Sequence, residues 1–254
     1  MSHDFLSLNY EKVVPQITKF ISEQVKSRKK NGVVIGLSGG LDSSVCLVLA
    51  YKALGKNRIF GLTMPERGQT PQRDIDNAYD LAHKLEIKYK EIHFERAKKI
   101  LLSNLPNDKL SSGNFSARLR MAFLYHYAGK SNLLVLGTSD KSELMIGYFT
   151  KFGDGGADIL PLGGLFKSQV KILGKKLGLS EQIINQPSSP RFWKGHVAEK
   201  ELGLEYREID TILQYYLEND LDRCNLSKKK KKLVTDMVKK SRHKREQIPV
   251  CNQP

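Results

Sequence analysis

Residues 33–44, VVIGLSGGLDSS, restrict the fold of this chain more than any other stretch. Val33, Val34, Ile35 and Leu37 read as a buried strand, and from Ser43 to Leu54 apolar residues recur at helical spacing up to Gly55, a residue suited to end a helix. The motif therefore sits on a strand-to-helix turn. Gly39 and Gly40 reach backbone conformations closed to other residues, so successive N–H groups can face one anion while the helix N-terminus adds its partial positive charge. Such a turn is built to hold phosphate. No lysine follows the glycines and G-x-x-x-x-G-K-S/T is absent, which excludes a Walker-type P-loop. Asp42 stands where a cation would be expected. A carboxylate beside phosphate is repulsive unless a metal lies between them, so Asp42 reads as a Mg2+ ligand on a pyrophosphate.

The stretches that follow extend the pattern. Residues 58–64 read as a second strand ended by Pro65, 71–86 as a helix, 87–92 as a weakly alternating third strand, and 95–105 as a helix. Strand and helix alternating at short spacing predict an α/β fold, a doubly wound parallel sheet with helices on both faces. Right-handed crossovers then bring the C-terminal strand ends to one rim, where ligands bind, and the glycine turn lies on that rim. Ahead of it, Tyr10, Val13, Val14, Ile17, Phe20, Ile21 and Val25 recur at steps of three and four. They predict a helix within residues 5–30, packed on the sheet or on a second subunit.

Further on, residues 106–113 read as a loop, 114–129 as a helix and 133–136 as a buried strand that Gly137 and Thr138 leave at the same rim. Residues 139–166 carry little periodicity and read as a binding loop. A helix over 167–177 precedes Gly178, 187–196 form a loop with the only tryptophan, and 208–218 and 227–242 are helical, the last strongly basic. No repeat or linker divides the chain, so residues 1–254 read as a single domain.

Composition narrows the class. Three cysteines, Cys46, Cys224 and Cys251, lie far apart with no C-x-x-C, so neither a disulfide framework nor a zinc site is implied, and a reducing cytoplasm fits. The N-terminal residues lack a leader pattern, and no apolar run approaches the roughly 20 residues that span a bilayer. A net charge of +15 attracts polyanions, among them nucleic acid and polyphosphate substrates. Charge alone does not choose among them.

Ser38-Gly39-Gly40-Leu41-Asp42-Ser43 resembles the SGGxDS signature of the PP-loop ATP pyrophosphatases, which cleave ATP between its α and β phosphates. That class implies a Rossmann-like, adenine nucleotide alpha hydrolase-like sheet. Later residues discriminate within it. Residues 114–121 (NFSARLRM) resemble the NxxARxRM element of NAD synthetases, 137–143 (GTSDKSE) their GTxxKSE element, and 147–161 (GYFTKFGDGGADILP) their GxxTxxGDxxxDxxP loop. Lys167-Ser168-Gln169-Val170, Pro187-Ser188-Ser189, the LGLEY of 202–206 with Ile209-Asp210, and His243-Lys244-Arg245 complete the series in order. The resemblance runs from about residue 10 to residue 246 and is to the ammonia-dependent branch, since no glutaminase segment remains.

The resemblance implies adenylylation of the nicotinate carboxylate of deamido-NAD by ATP, release of pyrophosphate, and displacement of AMP by ammonia. It implies that Gly36, Leu37, Ser38, Gly39, Gly40, Leu41, Asp42 and Ser43 wrap ATP, helped by Thr138, Lys167 and Ser188. Asp42 and Glu143 would hold Mg2+. Arg118, Lys151, Asp158, His243 and Lys244 would bind deamido-NAD, and Asp154 would place or deprotonate ammonium. Bland readings stand beside several of these: helix capping for Thr138 and Ser188, an exposed helix-start carboxylate for Glu143, and an ordinary GDGG turn for Asp154. Family members are homodimers whose pocket is completed at the interface. In 187–196 this chain departs from the commoner PSA-x-LW-x-GQ form, with Pro190 and Arg191 intruding, and its lysine run at 228–232 is heavier than the family needs.

Two rivals remain. A PP-loop enzyme acting on tRNA would suit the basic C-terminal helix, but the chain lacks a cysteine pair for sulfur transfer and room for an RNA-binding lobe. A non-catalytic nucleotide-binding module would have lost the metal carboxylates, and both are present.

Overall fold

The computed structural model describes residues 6–106 and 108–251. Four strands, β1 (Gly32–Gly36), β2 (Ile59–Thr63), β3 (Lys88–Glu91) and β4 (Leu133–Leu136), form one parallel sheet in the order β3-β2-β1-β4. Val33 pairs with Ile59 on one side and Leu134 on the other, which puts β1 between two apolar neighbours. The edge strand β3, KYKE, alternates between exposed and half-buried residues, and lysine on an edge discourages pairing with another chain.

Side chains alternate across the central strands, and each set meets its own layer of helices. Val33, Ile35, Ile59, Leu134 and Leu136 face a core built with α1 (Tyr10–Ser27), α2 (Leu41–Leu54), α3 (Gln72–Lys84) and α7 (Lys167–Lys176). Val34, Leu62 and Val135 face the other way, onto Met121, Leu124 and Ala128 of α5 (Lys109–Ser131). The sheet is thus covered on both faces, as the alternation predicts. A further apolar cluster joins α6 (Lys141–Ile146), α9 (Ala198–Leu202), α10 (Tyr206–Leu217) and α11 (Lys228–Lys240) beside the sheet. Two short helices complete the described set, α4 (Glu95–Leu102) and α8 (Glu181–Ile184).

The structure corrects the sequence reading in three places. The helix expected over 114–129 begins instead at Lys109, because Asp108 caps it by accepting the Ser111 N–H at 2.6 Å. Gly113, the residue that suggested a loop, sits inside that helix where the ring of Phe192 occupies the place of a side chain. Residues 139–166 are not one loop, since Asp140 and Glu143 form a capping box that starts α6. The first helix is shorter than 5–30 and starts after the Asn9 cap; residue 5 lies outside the described residues. Among the described residues no helix is long and apolar enough to cross a membrane.

Candidate active site

The C-terminal ends of β1, β2 and β4 open into a cleft of about 1070 Å³, bounded by the glycine turn, the start of α6, the start of α7 and residues 187–192. The turn leaves the sheet at Leu37, whose N–H still donates to Leu62 O at 2.7 Å. Ser43 Oγ accepts the Ser38 N–H at 3.3 Å and returns a hydrogen bond to Gly40 O at 3.1 Å, closing the turn on itself. Gly40 caps α2 with no side chain. The first amides of α2 therefore have no side-chain acceptor, and with the helix dipole they form an anion site.

Gly39 has φ +72, and a Cβ there would stand 1.8 Å from the Asp74 carbonyl oxygen. Both facts demand glycine. Gly39→Ala is expected to cost about 2–5 kcal/mol, from the left-handed backbone and the forced retreat of α3. A thermal melt should register this as a fall of roughly 5–15 °C, with loss of nucleotide binding.

Lys167 opens α7 with a buried side chain. Its Nζ lies 2.7 Å from Asp42 Oδ2, 2.8 Å from Glu143 Oε1 and 2.8 Å from Asp140 Oδ2. Three elements meet at this point: Asp42 comes from the first turn of α2, Asp140 and Glu143 from the capping box of α6. The lysine backbone is fixed as well, since Lys167 N donates to Ser142 Oγ at 2.9 Å and Ser168 N to the buried Asp210 at 2.8 Å. Burial would push the lysine pKa down, but Asp140, Asp42 and Glu143 together hold it well above its ordinary value. Burial pushes the carboxyl pKa values up, that of Asp140 to about 6 and that of Glu143 well above the carboxylate range.

Three carboxyl groups around one ammonium favour the uptake of a further positive charge, a proton or a metal ion. Asp42 Oδ1 is buried without a partner, an orphaned acceptor of the kind a cation satisfies. Among the described residues no group of three His, Cys, Asp or Glu side chains is gathered to hold a metal alone. Mg2+ is ordinarily held by one or two carboxylates with water and substrate phosphates completing its shell, which this donor set fits. Beside the lysine, the Tyr206 ring centroid is 5.2 Å from Nζ and its hydroxyl is buried without a hydrogen bond.

Of the residues singled out in the sequence, Gly36, Leu37, Ser38, Gly40, Leu41, Asp42, Ser43, Thr138, Glu143, Asp154, Lys167, Ser188 and Lys244 line this cleft, and Gly39 lies under it. Lys244 Nζ donates to Gly147 O and Phe149 O at 2.7 Å each, and Asp154 accepts from Thr150 N at 2.9 Å. The remaining substrate residues are not brought into the lining. Arg118 Nε donates to Lys151 O at 3.3 Å and Lys151 Nζ to His243 O at 2.8 Å, a chain of contacts beside it. Asp158 stands apart, its carboxylate accepting from Val135 N at 2.7 Å and from the Tyr125 hydroxyl at 3.0 Å. Sequence reasoning passed over Asp140, Asp210 and Tyr206 as site residues. The D-x-x-E spacing of Asp140 and Glu143 was a usable signal, because a helix start on the rim aims both carboxylates at the cleft.

A parallel α/β sheet whose first strand ends in an SGGxDS turn, with a lysine and three carboxylates facing that turn, defines a nucleotide-binding protein of the PP-loop class. The sequence pattern of the family described as NAD synthase matches residues 13–248, and the chain belongs to that family. The NH(3)-dependent NAD(+) synthetase of Staphylothermus marinus is 42% identical over 261 residues, covering 99% of this chain and 94% of the relative. That of Methanocaldococcus jannaschii is 43% identical over 249 residues, covering 94% and 96%. Among solved structures, the NMN synthetase of Francisella tularensis superposes with a TM-score of 0.88 at 34% identity, covering 97% of this chain and 100% of that one. The NH3-dependent NAD synthetase of Campylobacter jejuni gives 0.84 at 30% identity, covering 97% and 100%. The tRNA alternative finds no support among these relatives.

Proposed function

We propose that this chain is an ammonia-dependent ligase that converts deamido-NAD to NAD at the expense of ATP. The observation that carries the reading is the Lys167 ammonium held among Asp42, Asp140 and Glu143 at the mouth of a turn with open amides. A nicotinate carboxylate oxygen attacks the α-phosphorus of ATP, the α–β bridge breaks, and pyrophosphate leaves. Ammonia then adds to the carbonyl carbon of the acyl-adenylate, loses a proton, and AMP departs with the carboxylate oxygen that attacked. Residues 36–43 cradle the phosphates, Thr138 and Ser188 offer hydroxyls to the nucleotide, and Lys167 donates to the oxygens that gain charge as the bridge breaks. Asp42 and Glu143 would hold Mg2+, which when bound neutralises the departing pyrophosphate.

Deamido-NAD is an anion, and Arg118, Lys151 and Lys244 supply cations around and beside the cleft, with His243 next to them; Asp158, also read as a substrate residue, is held on the backbone of β4 outside the cleft lining. Asp154 serves the ammonia step; burial raises its pKa, as suits a group that takes up a proton. The family match over 13–248 supports reading the chain as one synthetase domain. A homodimer in the cytoplasm, using free ammonia, completes the reading.

The likeness to a structure named as an NMN synthetase supports a second reading, in which this chain's acceptor is the mononucleotide counterpart of deamido-NAD. Assays with each acceptor in parallel decide between them. Deamido-NAD should be preferred by about 10²-fold in kcat/KM, the discrimination a few polar contacts to the extra nucleotide provide. Preference for the mononucleotide would reassign the acceptor and leave the ATP chemistry intact.

A further inference from the structure

Arg191 is one of the two residues that intrude into the family pattern in the loop 187–196, and the reaction above does not use it. The structure fastens it. Its guanidinium lies 2.8 Å from Oδ2 of Asp74, with side-chain exposures of 16% and 1%. Asp74 is also the residue whose carbonyl fills the space beside Gly39, so one buried residue touches both the phosphate turn and the loop. Gln186 Nε2 donates to Asp74 Oδ1 at 3.1 Å, and Asn77 Nδ2 faces both Gly39 O and Gln186 Oε1 at 3.4 Å. Arg73 reaches Asp74 Oδ1 from the exposed side at 3.4 Å.

Two further fastenings flank the pair. The Phe192 ring lies against Gly113, 2.3 Å from where a Cβ would be. The Gln69 amide nitrogen, oriented toward acceptors, donates to Phe192 O at 3.1 Å and Arg191 O at 3.3 Å. Arg191 itself sits at φ +54, a conformation that a residue with a side chain keeps only where its surroundings hold it. Ser188, three residues earlier, lines the same cleft as Gly40, Asp42 and Ser43.

Withdrawing the guanidinium would leave a carboxylate that is 1% exposed with only the Gln186 amide and the more distant Arg73 to balance it, so the ion pair favours one position of the loop. We infer that Arg191 is a positioning residue for the ATP subsite: its pair with Asp74 clamps residues 187–196 against the phosphate turn and fixes where Ser188 meets the nucleotide. The inference rests on ATP occupying that turn. Without the clamp the competent loop arrangement is only partly populated, and apparent ATP affinity falls by that fraction. Acceptor affinity and turnover at saturating ATP do not depend on it.

Trp193, the only tryptophan, stacks on His196 with ring centroids 3.6 Å apart and an interplanar angle of 9°, and reports the loop directly. Wild type, Arg191→Ala and Arg191→Lys are compared by acrylamide quenching without ligand, and by titration with an ATP analogue uncleavable at the α–β bridge. Arg191→Ala should raise quenching and weaken analogue binding by about tenfold, with Arg191→Lys between it and wild type. In the steady state the KM for ATP should rise by a similar factor, with kcat and the acceptor KM within about twofold of wild type. Unchanged analogue binding overturns the inference. So does weakened binding with unchanged quenching, because the arginine would then touch the nucleotide itself. Should the alanine variant melt below the assay temperature, Arg191→Gln carries the same test. Quenching and analogue binding need no acceptor, so they stand even if the acceptor is misassigned.

Discussion

Lys167→Met is expected to abolish NAD formation, with kcat/KM down by at least about 10³-fold, or roughly 4 kcal/mol of transition-state stabilisation. The lysine touches three carboxylates and little solvent, so its removal does two things at once. It takes a buried cation away from the phosphate turn, and it leaves Asp140, Glu143 and Asp42 facing one another. Breaking a buried pair by deleting one partner costs about 3–5 kcal/mol. A thermal melt should therefore fall together with the rate. The double variant Lys167→Met with Asp140→Asn separates the effects, because removing a stranded carboxylate restores part of the stability and none of the rate. Recovery of activity in the double variant would mean that the lysine serves only as a counter-ion. Lys167→Arg should not rescue, since a planar guanidinium cannot replace a compact ammonium among three carboxylates.

Asp42→Asn is expected to have the second largest effect, with kcat down by about 10²–10³-fold and a raised requirement for Mg2+. The side chain keeps its size but loses its charge, leaving Lys167 two carboxylates in place of three and weakening the hold of the unpartnered Oδ1 on a cation. Titrating Mg2+ in the assay distinguishes the account from a packing role. Rate that recovers in part at high Mg2+ supports ligation, and rate indifferent to Mg2+ opposes it. Melting temperature should change little, because asparagine still accepts from the Lys167 ammonium.

The four strands and their parallel sheet, the two-faced core and the glycine turn were legible because each rests on local signals: apolar runs, strand and helix in alternation, and glycines beside an aspartate. What the sequence concealed was non-local. Gly113 reads as a helix breaker until Phe192, far along the chain, is seen to fill its missing side chain. Asp108 makes the first turn of α5 helical by a cap that lies ahead of the apolar pattern. Asp140 went unmarked because its role depends on Lys167 arriving from another element. Asp158 shows the reverse, a residue assigned to substrate whose carboxylate the fold engages on the backbone of β4. Arg191 looked like an intrusion into a loop, and it pairs with a carboxylate buried beside the phosphate turn.

The central claim, attack of a nicotinate carboxylate on the α-phosphorus of ATP at this turn, is tested most directly by label transfer. Deamido-NAD carrying heavy oxygen in its carboxylate is turned over with ATP, Mg2+ and ammonium, and the products are separated and weighed. The account predicts NAD, AMP and pyrophosphate in equal amounts, with one labelled oxygen in AMP and none in pyrophosphate. Label in pyrophosphate, or ADP and phosphate as products, would contradict it.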